Sequence, residues 1–253
     1  MNCLIFLQEE LVEPEKALVK GARVTELCKE HELSVGLSLK AGVLGGKLGT
    51  AQVTLLEKER LEAKLDFQQD SPSLLAIEAL IAVPRPQTVK KCIAMAAAAG
   101  VSRVHFLRSE NSVKSYLDSK SLEREAIERE LRLGLQQSGT TLAPEVHVHP
   151  LFKPFVDEYL PQRLAAEKDA LLLLADTAAK QSLGQLMKGT SLAKGTVFVA
   201  LGPEKGWNEY ERNRFKEIGF HSIGLGVRQL RVEQAFSMLI GQLQFLDDLR
   251  KDL

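Results

Sequence analysis

The chain has 253 residues, 45% apolar and 26% charged, and its 33 basic residues balance 33 acidic ones. That composition suits a globular protein with a real core. Zero net charge excludes a whole-molecule field that would draw in a polyanion, so a nucleic-acid partner requires a local basic patch. No apolar run reaches the roughly 18–20 residues of a membrane span, which predicts no membrane partner. Cys3, Cys28 and Cys92 are far apart and lack metal-ligand spacing, so they read as reduced thiols of a cytoplasmic protein that holds no metal.

The opening MNCLIFLQEELVEPEK has no basic stretch and no small-residue cleavage site; it reads as a strand rather than a signal peptide. Short β-like runs are expected at residues 3–7, 34–39, 50–56 and 63–67, divided by turn signals of which the glycines at 42, 45, 46 and 49 are the clearest. Several short strands without long helices predict a small barrel or sandwich over residues 1–70. The polar stretch Gln68 to Ser73, broken by Ser71-Pro72, is the expected linker.

From residue 74 to 253 strands and helices alternate. Short apolar runs at 78–83, 103–107, 145–149, 170–175, 197–201 and 222–225 fit strands buried on both faces of a parallel sheet, which makes this part α/β. Helical patterns lie between them. One covers 87–99 and stops at Gly100, and another covers 121–138 and stops at Gly139. Asn208 followed by Glu211 predicts a capping box, with the helix closing at Gly219. The last helix carries Val232, Phe236, Leu239, Leu243, Leu246 and Leu249 on one stripe.

Common catalytic signatures are missing. Gly224-Leu-Gly226-Val-Arg-Gln229 lacks the third glycine of a dinucleotide fingerprint, and Gly46-Lys47 does not complete a phosphate loop. No serine occupies a nucleophile elbow. His147 and His149 would share a strand face, but without a cysteine or carboxylate motif they read as ordinary strand residues, as do His31, His105 and His221.

The stretch from Gly195 to Glu233 is different. The apolar run 197–201 breaks into Leu201-Gly202-Pro203-Glu204-Lys205-Gly206, and the run 222–225 breaks at Gly226 before Arg228-Gln229-Leu230-Arg231-Val232-Glu233. Two strands are thus expected to end side by side in glycine-bearing loops, and ligands of open α/β sheets bind outside such ends. Gly202 lets backbone approach a ligand, Pro203 stiffens the turn and Gly206 frees its exit.

Together these residues resemble the RsmE-type methyltransferases of the SPOUT class, whose usual form is close to IGPEGG-F followed by LG-x-R-x-LR-x-E-T-A. Gly202-Pro203-Glu204, Gly206, Leu225-Gly226, Arg228, Leu230-Arg231 and Glu233 match, and Gln136-Gln137-Ser138-Gly139 with Pro144-Glu145 is similar to the family's central segment. The similarity covers nearly the whole chain, and its specific part is the C-terminal third. The resemblance implies a SPOUT-type parallel sheet with a C-terminal trefoil knot, preceded by a PUA-like β-barrel for RNA. It implies transfer of a methyl group from S-adenosyl-L-methionine to N3 of a uridine in small-subunit (16S) ribosomal RNA, by a homodimer. Leu201, Gly202, Pro203, Glu204, Gly206, Leu225, Gly226 and Leu230 would hold the cofactor, and Arg228, Arg231 and Glu233 would serve catalysis. Departures from the pattern are Lys205 for the second loop glycine, Trp207 for phenylalanine and Thr140 for arginine. The other readings are an RNA-binding or ribosome-assembly protein on the same scaffold, a different RNA target, and an α/β enzyme for a nucleotide-like ligand.

Overall fold

The computed structural model describes residues 2–188 and 195–251. They form two compact units: one takes residues 1–74 with 96–100 and 129–143, the other 75–95, 101–128 and 144–253. The division is therefore not a single cut near residue 70, because the ends of two helices join the first unit. No helix among the described residues is long and apolar enough to cross a membrane.

The first unit is built on a curled sheet of strands β1 (Leu4–Phe6), β2 (Leu11–Glu13), β3 (Lys16–Lys20), β4 (Ser38–Val43), β5 (Leu48–Glu57) and β6 (Arg60–Gln69), with helix α1 (Ala22–Glu30) between β3 and β4. Spatial order is β1-β4-β5-β6-β3-β2, with only β1 and β4 parallel. Its core gathers Leu4, Phe6, Val19, Leu27, Leu61 and Leu65. Two details differ from the expected elements. Residues 34–37 form a turn in which Leu37 N–H donates to Ser34 and Gly36 has φ +88°, which pushes the strand on to Ser38–Val43. Helix α1 was not expected; its apolar contribution is only Val24 and Leu27, buried three residues apart, too little for a periodic signal.

The second unit is an all-parallel sheet in the order β12-β10-β11-β7-β8-β9. Its strands are β7 (Leu75–Ala82), β8 (Val101–Leu107), β9 (Glu145–His149), β10 (Leu171–Ala175), β11 (Val197–Leu201) and β12 (His221–Ile223). Helices α2 (Pro86–Ala99) and α3 (Arg124–Ser138) follow β7 and β8. After β9 comes one helical run: α4 (Phe152–Pro154), a π-helical turn (Phe155–Tyr159) and α5 (Leu160–Ala165). The short α6 (Leu183–Met187), then α7 (Glu209–Ile218) and α8 (Val232–Lys251), complete the chain. Phe155, Phe198, Trp207, Phe215 and Phe220 share one core with Leu80 and Leu174. Each such side chain contributes about 1.5–3 kcal/mol by leaving water.

Local chemistry explains where α7 begins and ends. The Asn208 side chain accepts from Glu211 N–H at 2.8 Å, and Glu211 accepts from Asn208 N–H at 3.0 Å, the capping box read from the sequence. Gly219, at φ 108°, terminates the helix in the left-handed region.

Candidate active site at the carboxyl edge of the parallel sheet

Three strand ends meet here. Leu201 of β11 lies in register with Ala175 of β10, and Ala175 with Ile223 of β12. The expectation that β11 and β12 end side by side is corrected: β10 runs between them, because the connection through α7 carries the chain across that strand. Their tips are two strand spacings apart, about 10 Å. The loops nevertheless converge, and the β10 loop adds a third wall.

The pocket they enclose has a volume of about 480 Å³, within the range of small-molecule sites. Of the residues picked out in the sequence, Leu201, Gly202, Pro203, Glu204, Gly206, Leu225, Gly226, Leu230, Arg228 and Arg231 all line it. Glu233 does not. Its carboxylate turns to Lys91 at 3.2 Å. Burial raises the pKa of that carboxyl, but its own backbone N–H, Lys91 and Arg231 outweigh burial and hold it below the usual carboxylate range. Ala175, Asp176 and Thr177 also line the pocket. They follow directly on the apolar run expected at 170–175, so the rule that found the other two loops could have found this one.

Two glycines are dictated by the backbone. A Cβ at Gly202 would meet Trp207 N at 3.0 Å and Gly206 backbone at 3.1 Å, so the loop closes on itself only around a residue without a side chain. Gly206 N–H donates to Pro203 at 2.7 Å to close that turn, and Gly206 has φ +70°.

The turn is held from outside. Glu204 accepts from Arg85 N–H at 3.0 Å, and its carboxylate lies 3.8 Å from the Arg85 guanidinium. Glu211 is only 2% exposed; besides capping α7 it accepts from Ser109 Oγ at 3.0 Å and Glu110 N–H at 2.8 Å. Asn111 Nδ2 donates to Gly206 O at 2.9 Å. The loop after β8 therefore clamps the loop after β11, a contact that no local pattern announces.

The electrostatics are uneven. Arg228 and Arg231 are exposed at the pocket rim, and neither guanidinium has a hydrogen bond or ion pair with another described residue. Unpaired guanidiniums beside a pocket can stabilise developing negative charge. Asp176 adds a carboxylate that accepts from Ala178 N–H at 3.0 Å and lies 3.9 Å from the Arg212 guanidinium. Leu201, Leu225, Leu230, Val232 and Ala235 supply apolar surface. The cavity thus offers apolar surface, the carboxylates of Asp176 and Glu204, the ammonium of Lys205 and two exposed arginines.

Residues 70–244 match the model of a family described as RNA methyltransferase domain. The chain is 30% identical over 238 residues to ribosomal RNA small subunit methyltransferase E of Treponema pallidum (strain Nichols), covering 93% of this chain and 87% of the relative. It is 24% identical to ribosomal RNA small subunit methyltransferase E 1 of Borreliella burgdorferi, over 86% of this chain and 87% of that one. Among solved structures, the fold matches a Neisseria gonorrhoeae ribosomal RNA small subunit methyltransferase E bound to S-adenosyl methionine, with TM-score 0.76 at 21% identity over 96% of this chain and 98% of that one.

Proposed function

We propose that this chain, which belongs to the ribosomal RNA small subunit methyltransferase E family among the RNA methyltransferases, transfers a methyl group from S-adenosylmethionine to N3 of a uridine in small-subunit ribosomal RNA. The observation that carries the reading is the convergence of Gly202–Gly206 and Leu225–Arg231 on one pocket with two unpaired arginines at its mouth. The cavity suits the cofactor. Leu201, Leu225, Leu230, Val232 and Ala235 would flank the adenine, the backbone of Gly202, Gly206 and Gly226 can come close to polar groups, and Asp176 offers negative charge to a cationic centre.

When bound, S-adenosylmethionine supplies an electrophilic methyl group. The protein's task is to present a nucleophilic nitrogen to it. Uridine N3 must first lose a proton about as weakly acidic as a tyrosine hydroxyl, whose pKa is roughly 10. Arg228 and Arg231 favour that loss by stabilising the imide anion spread over N3 and its flanking oxygens. Glu233, ionised and paired with Lys91, is too weak a base to drive the proton off; it holds Lys91 and sets a negative charge near Arg231. Base and methyl held in line would supply much of the remaining acceleration, and a base buried in RNA structure must first be exposed.

The same reading extends to the whole chain. Residues 1–70 would be the PUA-like RNA-binding part and residues 74–253 the SPOUT-type catalytic part. A trefoil knot in the latter is supported by the chain's passage from β11 across β10 to β12. Exposed Met238 (44%), Phe245 (63%) and Leu249 (41%) on α8 support a homodimer built on that helix. Its place of work would be the cytoplasm, with the ribosomal subunit as partner.

Calorimetry with S-adenosylmethionine and S-adenosylhomocysteine tests the cofactor, with saturable micromolar binding expected; no heat of binding overturns the reading. Tritium transfer to small subunits lacking the modification, followed by mass-spectrometric mapping, tests the target. Label on N3 of a uridine is expected, and label on any other position overturns the assignment.

A further inference from the structure

At the far edge of the parallel sheet, buried ionisable groups form a hydrogen-bonded chain that the proposed chemistry does not use. Glu78 on β7 is 1% exposed. It accepts from Arg103 Nη1 at 2.8 Å and from Arg163 Nε at 3.0 Å. Its second oxygen lies 3.3 Å from His105 Nε2, and His105 Nδ1 lies 3.1 Å from His149 Nε2.

This geometry fixes where the protons are. Two guanidiniums already balance Glu78, and burial disfavours a charged ring, lowering the pKa of His105 and bringing that of His149 to about 4. Both rings are therefore neutral near pH 7, with one proton each. An ionised carboxylate only accepts, so the His105 proton sits on Nε2. His105 Nδ1 is then an acceptor, and His149 must carry its proton on Nε2. That leaves His149 Nδ1 bare, an acceptor whose direction is set by a buried relay.

A cleft of about 350 Å³ opens beside His149, walled by Leu151, Pro154, Phe155, Tyr159 and Gln162. Leu151 is 53% exposed, so apolar surface of the cleft stands in water. The π-helical turn Phe155–Tyr159, a form that recurs at functional sites, sets the Tyr159 ring 4.8 Å from the His149 ring. A purely structural role explains Glu78, its arginines and His105, which tie β7, β8 and α5 together. It also covers His149 Nε2–H, the donor that the buried His105 Nδ1 needs, but it leaves out His149 Nδ1, which has no hydrogen bond to another described residue. Nor is this a metal centre: among the described residues no group of three or more histidine, cysteine or acidic side chains is arranged to hold an ion.

Position adds the second argument. His149 ends β9 as Leu201 ends β11, and the neighbours β11, β7, β8 and β9 put three spacings between them, about 14 Å. The cleft thus opens on the same edge as the pocket, within reach of a nucleotide a few positions from one held there.

We propose that this cleft is a second nucleobase site, which receives a flanking base of single-stranded RNA. His149 Nδ1 accepts a hydrogen bond from an N–H of the base, while Leu151, Pro154 and Tyr159 pack against its faces. The proposal rests on the reading that the protein acts on RNA.

Imidazole nitrogen NMR of the full chain tests it, with the four nucleoside monophosphates and N3-methyluridine monophosphate as probes. His149 is expected as the Nε2–H tautomer. Its Nδ1 resonance should move saturably with at least one nucleotide, and uridine monophosphate should bind at least tenfold more tightly than its N3-methyl analogue, which has no base N–H. His149→Phe should abolish the response and leave S-adenosylmethionine binding unchanged, while the urea midpoint falls because the buried His105 Nδ1 loses its donor. An Nδ1 resonance that none of the nucleotides moves, or an equal response to uridine monophosphate and its methylated analogue, overturns the proposal; both are read on the wild-type protein. The two readings fail separately: a protein that answers at His149 but transfers no methyl group sinks the enzyme assignment, whereas an active enzyme silent at His149 sinks only this cleft.

Discussion

Two pairs of arginines divide the parallel sheet between them. Arg103 and Arg163 converge on Glu78, a carboxylate 1% exposed, with Glu145 and Glu167 as further partners. Arg228 and Arg231 stand at the pocket mouth with no carboxylate on either guanidinium among the described residues. The first pair is consumed in holding strands and helix together; the second is left free to meet charge that arrives from outside. The lesson is that the same side chain serves the fold or the chemistry according to whether the chain also supplies its counterion.

The contrast can be broken at its strongest point first. Glu78→Ala takes the acceptor from the buried His105 and leaves Arg103 and Arg163 with one carboxylate each, and should destabilise the protein by about 3–5 kcal/mol, the usual result of removing one partner from a buried ion pair; urea denaturation measures it. Arg231→Ala should do the reverse. Methyl transfer should fall by about 100-fold, as when a preorganised charge-stabilising group is lost, while the urea midpoint stays within about 0.5 kcal/mol of wild type. Equal effects of the two substitutions on stability would erase the distinction. Asn208→Ala removes the side-chain oxygen that accepts from Glu211 N–H and should cost about 1 kcal/mol, with a weaker affinity for S-adenosylmethionine in calorimetry because the start of α7 follows directly on the pocket loop that ends at Trp207.

The smallest effect is on pH dependence. His149 has a pKa near 4 in the folded protein and roughly 6.5 when unfolded. A group depressed on folding binds more protons in the unfolded chain, so its contribution is complete above about pH 6.5 and is lost as pH falls toward 4. Urea midpoints should therefore drop between pH 7 and pH 5, and less steeply in His149→Phe. Identical pH profiles for the two proteins would remove His149 from the buried network.

Much of the second unit was legible in the sequence because its signals are local. Continuous apolar runs gave the parallel strands, Asn208 with Glu211 gave the start of α7, and the residues around Gly202 and Gly226 lie together as the loop reading required. What was not legible depends on pairing at a distance. Nothing in the run 170–175 says that β10 lies between β11 and β12, since strand order is a property of the crossovers. His105 and His149 looked ordinary because their partners, Glu78 and His105, are 27 and 44 positions away, and a lone histidine on a strand carries no sign of what its neighbour will be. The first unit was harder still: α1 buries two side chains only, and Gly36 moved a strand by four residues.

The placement of β10 also bears on how the protein is born. Because β12 pairs with a strand completed some fifty residues earlier, and α8 supplies Val232 and Ala235 to the pocket wall, the binding cavity cannot exist until nearly the entire polypeptide has left the translating ribosome. A nascent chain halted after Gly206 would hold five of the ten predicted cleft residues that line the cavity, without β12 or either rim arginine. Competence to bind is therefore acquired abruptly, at the end of synthesis, and late docking of a parallel edge strand is intrinsically slow. Stalled chains released at successive lengths and assayed for S-adenosylmethionine binding should stay silent until the last helix is free.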